Sequence, residues 1–441
     1  MNDQVQNIDK LLTVNHQKSF DISLSYLAKF SYVYKKRIQM KKIFLFTLFF
    51  VIIPIPKVFS QSSNDTTAYL LTCGPRTEAY SIYGHSALRI AIPEKHIDTV
   101  YNWGVFDFDT PNFVWKFAKG RLDYMVIGES LKGFLGSYIF EQRYVYSQRI
   151  NIDASEMRIL TGLINENMKP ENARYRYDFF YDDCTTRIRD LLEKSLGEKL
   201  KYPPEEKGKI STFRDMVGKY QSPYPWYKFG VDLIMGSTAD KKANFRDRMF
   251  LPIDMMEELS KTHVYRSGKM IPLLQNPVVL IDFESPVVKK MFLVSPPVVF
   301  TLAIILILIL STLIKTRKTV RIIDIIIYSV FSILSVLMIF FNFFTDHQQM
   351  RLNLNIIWLN PFIIVCLILL ILDRAATIWF RIVFFSSAGF LVLHFILPQQ
   401  FNISFFLLAI ILLIRSSVRC EVSWNPLRIN PLPPKGGLNQ F

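Results

Sequence analysis

The chain changes its hydrophobic rhythm twice. Between residues 62 and 290, short apolar runs alternate with Gly, Pro and Asp turns, the spacing expected of strands. Such runs fall at residues 68–73, 87–92, 99–103, 122–127 and 144–152. The period then becomes helical. Asp153, with Glu156 three residues later, makes a capping box, and Met157, Leu160, Leu163 and Ile164 recur on one face. A second amphipathic helix follows the aromatic run YRYDFFYDDC at residues 175–184. It sets Ile188, Leu191, Leu192 and Leu196 on one side and Arg187, Arg189, Asp190, Glu193 and Lys194 on the other, with Asp183, Thr185 and Thr186 as cap-type residues. Short strands followed by helices predict an α+β domain.

From about Val298 the apolar residues run almost unbroken. Candidate membrane spans are residues 298–314, 322–344, 356–372, 378–397 and 401–414, the first and last somewhat short for a bilayer. They predict an all-α membrane domain of about five helices over residues 298–415. Residues 201–285 have no clear period. Within them, SPYPWYKFGVDLIMG at 222–236 mixes rings with an apolar run, which fits packing against the domain or a place in the membrane interface.

The first 39 residues are mixed polar and basic, without pattern. At Met40 the chain reads MKKIFLFTLFFVIIPIPKVFSQ, two lysines before an apolar core and a small-residue exit near Ser60. Residues 40–61 therefore read as a secretory signal, or as an uncleaved anchor, and residues 1–39 as an upstream extension. Either way, residues 62–290 are exported.

Composition narrows the class. Of 441 residues 50% are hydrophobic and 20% charged, too apolar for an ordinary soluble protein of this length. The formal charge of +15 is spread along the chain and gathers at the ends of apolar spans, which argues for membrane topology and against nucleic acid. The loop KTRKTVR at 315–321 is expected to face the cytoplasm, together with a tail at 416–441 that follows Arg415 and carries Arg419, Arg428 and Lys435. Loops at 345–355 and 398–400 then face outward, on the side of the exported domain.

Candidate chemistry centres on Cys184. It sits at the start of a helix, where free backbone amides favour a thiolate, the requirement for a nucleophilic thiol. The plain alternative is a small apolar plug. The other cysteines are Cys73, Cys366 and Cys420, too few and too scattered for a disulfide framework or a zinc site, although Cys73 and Cys184 share a compartment in which they could pair. Cys73, in LLTCGPRT, reads as structural. A cysteine nucleophile needs a base, and that base needs an orienting group. His85, in the Gly–His pair that opens a strand, is the candidate base. Asn102, in VYNWGVFDF, is the candidate orienter, with Asp107 as substitute; His96 and His263 lie in polar loops. In the outward loop, Asp346, His347, Asn353, Asn355, Trp358 and Asn360 cluster at the outer interface. His347, Asn355 and Trp358 are the candidates for contact with a lipid headgroup, the alternative being a polar loop with an interfacial tryptophan.

Three blocks, GHSALRI, YNWGVFDF with FAKGRLDYMV, and YDFFYDDCTTRIRDLL, resemble the exported domain of the Lnb-type lipoprotein N-acyltransferases over roughly residues 65–290. The order of His then Cys is similar to that of permuted papain-like enzymes, including NlpC-type hydrolases and the lecithin:retinol acyltransferase group. The resemblance implies a permuted papain-like exported domain with His85 as base and Cys184 as acyl carrier. It implies transfer of an acyl chain from a membrane phospholipid, through a Cys184 thioester, to the α-amino group of a lipoprotein's diacylglyceryl-cysteine. The implied partners are that phospholipid donor and the diacylated lipoprotein acceptor; no cofactor or metal is implied. The implied place is the bacterial inner (cytoplasmic) membrane, with the catalytic domain facing the periplasm. The competing expectation is a membrane-anchored papain-like cysteine hydrolase, an amidase or peptidase of the cell wall, using the same two residues. A third is a non-enzymatic binding module.

Overall fold

The computed structural model describes residues 66–420, apart from 206, 207, 209, 289–291, 315 and 375. The expected upstream extension, the export signal and residues 421–441 of the tail lie outside the described residues. The described residues form one compact unit.

The exported part begins with β1 (Thr67–Cys73), β2 (His85–Ile92), β3 (Ile97–Val105), α1 (Phe113–Ala118), β4 (Asp123–Ser130), α2 (Leu131–Phe140), β5 (Val145–Arg149), α3 (Ala154–Asn167), β6 (Arg174–Arg176) and α4 (Cys184–Leu196). The region without a clear sequence period supplies β7 (Leu200–Lys201), α5 (Phe213–Gln221), α6 (Pro225–Ile234), α7 (Pro252–Lys261), β8 (His263–Arg266), β9 (Lys269–Pro272) and β10 (Val278–Ile281). Seven strands form one antiparallel sheet in the order β10-β5-β1-β2-β3-β4-β6, and β7-β8-β9 form a small second sheet. The α+β expectation holds. All five predicted strand runs are present, shifted by a few residues at their ends, whereas α1 and α2 were not foreseen.

The centre of the sheet is buried on both faces, which is why β1 shows little polar alternation. Leu70 and Leu88 point to one side, in a core with Leu160 and Ile164 of α3 and Ile188 and Leu192 of α4. Leu71, Ala87 and Val100 point to the other, against Phe134 and Tyr138 of α2. The capping box of α3 is present, Asp153 taking the Glu156 amide and Glu156 returning to the Asp153 amide. The α4 pattern is as read, with one correction. Arg189, expected on the polar side, is buried; it is satisfied by Asp190 and by the Arg246 carbonyl.

Among the described residues, five helices are long and apolar enough to cross a membrane: α8 (Pro296–Leu313), α9 (Arg317–Phe343), the stretch Leu354–Ile371 that ends in α10 (Phe362–Ile371), Thr377–Ile396 containing α11 (Thr377–Leu393), and α12 (Ile403–Cys420). The third differs from its expectation. Only ten of its residues are α-helical, because Pro361 has no amide to donate and the chain breaks there. Asn360 repairs the break by donating to the Ile357 carbonyl and accepting from the Phe362 amide. The last helix is longer than expected and runs through Arg415 to Cys420. Inside the bundle Asp324 of α9 is fully buried between Arg415, at 2.5 Å, and Arg419, at 2.7 Å, both on α12. Arg415 also donates to Ser311 on α8 at 2.7 Å, so one carboxylate ties three helices.

Both loops expected to face outward are fastened to the sheet domain. Thr345 donates to the Ala118 carbonyl at 3.0 Å, the Asp346 amide to the Lys119 carbonyl at 2.9 Å, and the Gln349 side chain to Asp178. The Gly236 amide donates to the Gln349 carbonyl at 2.9 Å, and a Cβ on Gly236 would fall onto the Arg351 carbonyl, so only glycine permits this approach. From the second loop, Gln400 donates to Thr212 at 3.2 Å and Asn402 to Asp232 at 2.8 Å. Residues 222–236 settle between the two readings given above: α6 packs on the membrane helices themselves, Phe229 lying 5.3 Å from Phe300 and 5.7 Å from Phe405. This is a multi-pass membrane protein whose sheet domain sits on one end of its bundle.

Candidate active site

The site forms where the end of the sheet meets the start of α4. His85 is the first residue of β2. Ala87 and Val100 face α2, and alternate residues of a strand share a face, so His85 and Asn102 rise on that same side. Their side chains meet: His85 Nε2 lies 2.7 Å from Asn102 Oδ1. The amide oxygen can only accept, so Nε2 carries the proton and Nδ1 is left with its lone pair. Asp107, the substitute orienter, is exposed in the following turn and accepts from the Asp109 amide instead.

Cys184 arrives from the opposite face of the sheet as the first residue of α4. Asp183 caps this helix, accepting from the Thr185 and Thr186 amides at 2.9 and 2.8 Å, while Thr186 returns a hydroxyl to the Asp183 amide at 2.7 Å. That closed cap fixes where the Cys184 side chain can point. Cys184 and His85 both border Gly104. β3 is irregular between Trp103 and Val105, and Gly104 adopts φ +91, a conformation suited to glycine. A Cβ there would stand 3.9 Å from Cys184 Cβ, 3.9 Å from Tyr177 Cε2 and 4.0 Å from His85 Cε1. The three side chains thus border one missing side chain.

The electrostatics correct one expectation. The helix start does act on the sulfur: the Ser86, Thr185 and Cys184 backbone N–H groups all draw the thiol pKa down. Burial outweighs them, with the Asp183 carboxylate adding to it, and the thiol is raised above its ordinary value. Burial also lowers His85 to about 4, against the Asn102 bond that favours the charged ring and with Arg143 adding to the fall. At neutral pH Cys184 is therefore a thiol and His85 a neutral imidazole. Asp183 is itself pushed up to about 7 by burial, opposed by its hydrogen bonds from Thr185 and Thr186.

The remaining sequence candidates fall elsewhere. Cys73 and Cys184 are both free thiols, so they do not pair. Cys73 is buried under α2 and pushed up to about 12, chiefly by burial. Asn355 and Trp358, expected at a lipid headgroup, are both 0% exposed. Trp358 donates to Asn355 at 3.0 Å and Asn355 to the Leu233 carbonyl at 3.2 Å, so they pin α6 to the bundle instead. His347 is half-buried, its Nε2 2.8 Å from the Phe117 carbonyl. A separate cleft of about 280 Å³ opens between Phe180, Tyr181, Thr238, Lys241, Gln348 and Arg351; none of the three site residues lines it.

Sequence reasoning missed Gly104, Ser86 and Tyr177. A glycine between tryptophan and valine inside a strand pattern was the available sign of a bulge. Nothing local marks Ser86 or Tyr177, which matter through contacts made across the fold. Among the described residues, no group of three or more His, Cys, Asp and Glu side chains comes together that could hold a metal.

Two family models match the chain in order. That of the Lnb N-terminal periplasmic domain covers residues 59–221, and that of the Lnb transmembrane domain covers residues 288–423. No curated protein and no solved structure matches it.

Proposed function

The chain belongs to the Lnb family, and we propose from that premise that it is a lipoprotein N-acyltransferase of the bacterial inner membrane that works through Cys184 and His85. In the first half-reaction Cys184 Sγ attacks an ester carbonyl of a phospholipid while its proton passes to His85 Nδ1. The tetrahedral intermediate expels the glycerol oxygen, which takes that proton back from His85, leaving a thioester and a lysophospholipid. In the second, the α-amino group of a diacylglyceryl-cysteine attacks the thioester carbon. His85 accepts the amine proton and returns it to the departing Cys184 sulfur, giving an amide and free enzyme. Asn102 holds the imidazole so that Nδ1, not Nε2, meets the sulfur. The Cys184 and Ser86 amides, which both draw the thiol pKa down, are the donors we assign to the oxyanion.

The observation that carries this reading is the His85–Asn102 bond beside the α4 start in a domain fastened to five membrane helices. Substrates that live in a bilayer explain a catalytic domain bonded to both outward loops of the bundle. A cell-wall hydrolase needs one anchor and gains nothing from that fastening.

The test is mass spectrometry of one abundant lipoprotein's N-terminal peptide from cells carrying wild-type or Cys184→Ala protein. Three acyl chains in wild type and two in the variant support the proposal. Three chains in both, with no second acyltransferase present, sink it and favour the wall hydrolase.

A further inference from the structure

The segment between β3 and β4 exposes more apolar surface than a water-facing loop of its size holds. Phe108 is 64% exposed, Val114 77% and Trp115 56%. Helix α1 has no buried residue at all. Two observations say what covers this surface.

The first is depth. The Trp115 ring lies 5.6 Å from that of Phe340, which is three residues inside the outer end of α9 at Phe343. At 1.5 Å per residue this places the contact about 5 Å below the helix end. The segment thus reaches the level where a spanning helix leaves the hydrocarbon. Lys119 stands over the Trp115 ring at 4.8 Å, the pairing of a ring and a cation that suits a membrane interface.

The second is continuity with the thiol. Phe108 packs on Phe106 at 4.8 Å, Phe106 on Tyr124 at 5.2 Å, and Tyr124 stacks on Tyr177 at 4.4 Å. Tyr177 borders the Gly104 gap that Cys184 and His85 also border. A row of rings in edge-on and stacked contact, running from the bilayer side to the Gly104 gap, matches the chemistry of one extended hydrocarbon chain. A peptide or sugar would leave its polar groups unpaired against it.

We infer that residues 106–118 dip into the outer leaflet and that the row Phe108, Phe106, Tyr124 and Tyr177 receives a single acyl chain of a membrane lipid, delivering its ester carbonyl to Cys184. The row grips the chain along its length, so donor choice follows chain length. The chemical part of this inference rests on the acyltransferase reading; the insertion does not.

The test uses the full-length protein in vesicles of phosphatidylethanolamine and phosphatidylglycerol. With Cys184→Ser and Val114→Cys, a bimane on residue 114 is expected to be quenched by nitroxides carried on lipids and spared by aqueous iodide. Quenching by iodide alone overturns the insertion. Separately, thioester formation on Cys184 is compared between a vesicle phospholipid with long chains and a soluble butyrate ester. Phe108→Asn is expected to lower the ratio of long-chain to butyrate reactivity at least tenfold, and a ratio equal to wild type overturns the acyl row. Wild-type protein that forms no thioester from either donor sinks the acyltransferase reading and the acyl row with it, while the quenching result still decides insertion.

Discussion

His85 Nε2 stands 2.7 Å from Asn102 Oδ1, and this bond decides which ring nitrogen is free to take a proton. Without it the imidazole can rotate and change tautomer. Asn102→Ala is expected to slow thioester formation roughly 10- to 100-fold, in keeping with about 1.5–3 kcal/mol for a hydrogen bond to a group that becomes charged. Single-turnover acylation of Cys184 measures this, and a rate within twofold of wild type would remove Asn102 from the site.

Gly104 is bordered by both Cys184 and His85. Gly104→Ala places a Cβ among Cys184, Tyr177 and His85 and forces alanine to φ +91. The backbone cost alone is on the order of 1–2 kcal/mol. A lower melting temperature in detergent is expected, together with loss of acylation larger than the loss of folded protein explains.

The resting pair is neutral, and its pH behaviour follows. His85, lowered to about 4 from 6.5, remains a free base well below neutrality, so the acid limb of acylation is expected near pH 4. The sign for stability is opposite. As pH falls from 6.5 towards 4 the unfolded chain takes up this proton and the folded chain does not, so the His85 contribution erodes folding stability across that window. Because burial raises the Cys184 thiol, its alkylation by iodoacetamide is expected to be slow at pH 7 and still climbing beyond the ordinary thiol range. A rate that levels off below pH 7 would show a standing thiolate–imidazolium pair instead.

Gly236 lets the outward loop lie against the sheet domain. Gly236→Ala must push the Arg351 carbonyl away and break the hydrogen bond that the residue 236 amide donates to the Gln349 carbonyl. Protease cleavage in the segment 345–352, measured on the purified protein, is expected to rise while the membrane helices stay intact. An unchanged digestion pattern would mean the contact is not needed for docking.

Within the bundle, Asp324 pairs with both Arg415 and Arg419. Asp324→Ala leaves two cations in a buried place, a change that typically costs about 3–5 kcal/mol. Thermal unfolding in detergent is expected to shift down strongly, whereas a shift of a degree or less would mean that water or lipid headgroups already reach the pair.

Sequence alone determined the elements whose signal is local. Alternation marked five strands, Asp153 with Glu156 and Asp183 before Cys184 marked two helix starts, and long apolar runs with basic loops marked the spans and their orientation. These follow from backbone geometry, capping and hydration, which act over a few residues. The candidate pair, His85 at a strand start and Cys184 at a helix start, was legible for the same reason, and so was Asn102. Tertiary structure decided the rest. Whether Cys184 is acidified depended on how deeply the fold buries it, and burial overrode the helix start that the sequence displays. Asn355 and Trp358 looked interfacial because their neighbours are polar, but packing against α6 took them out of contact with lipid. Bringing Cys184 and His85 to the two sides of Gly104 required a strand irregularity there and a helix from the opposite face, two features far apart in the chain. Such contacts are set by the shape of the whole sheet, and no local period encodes them.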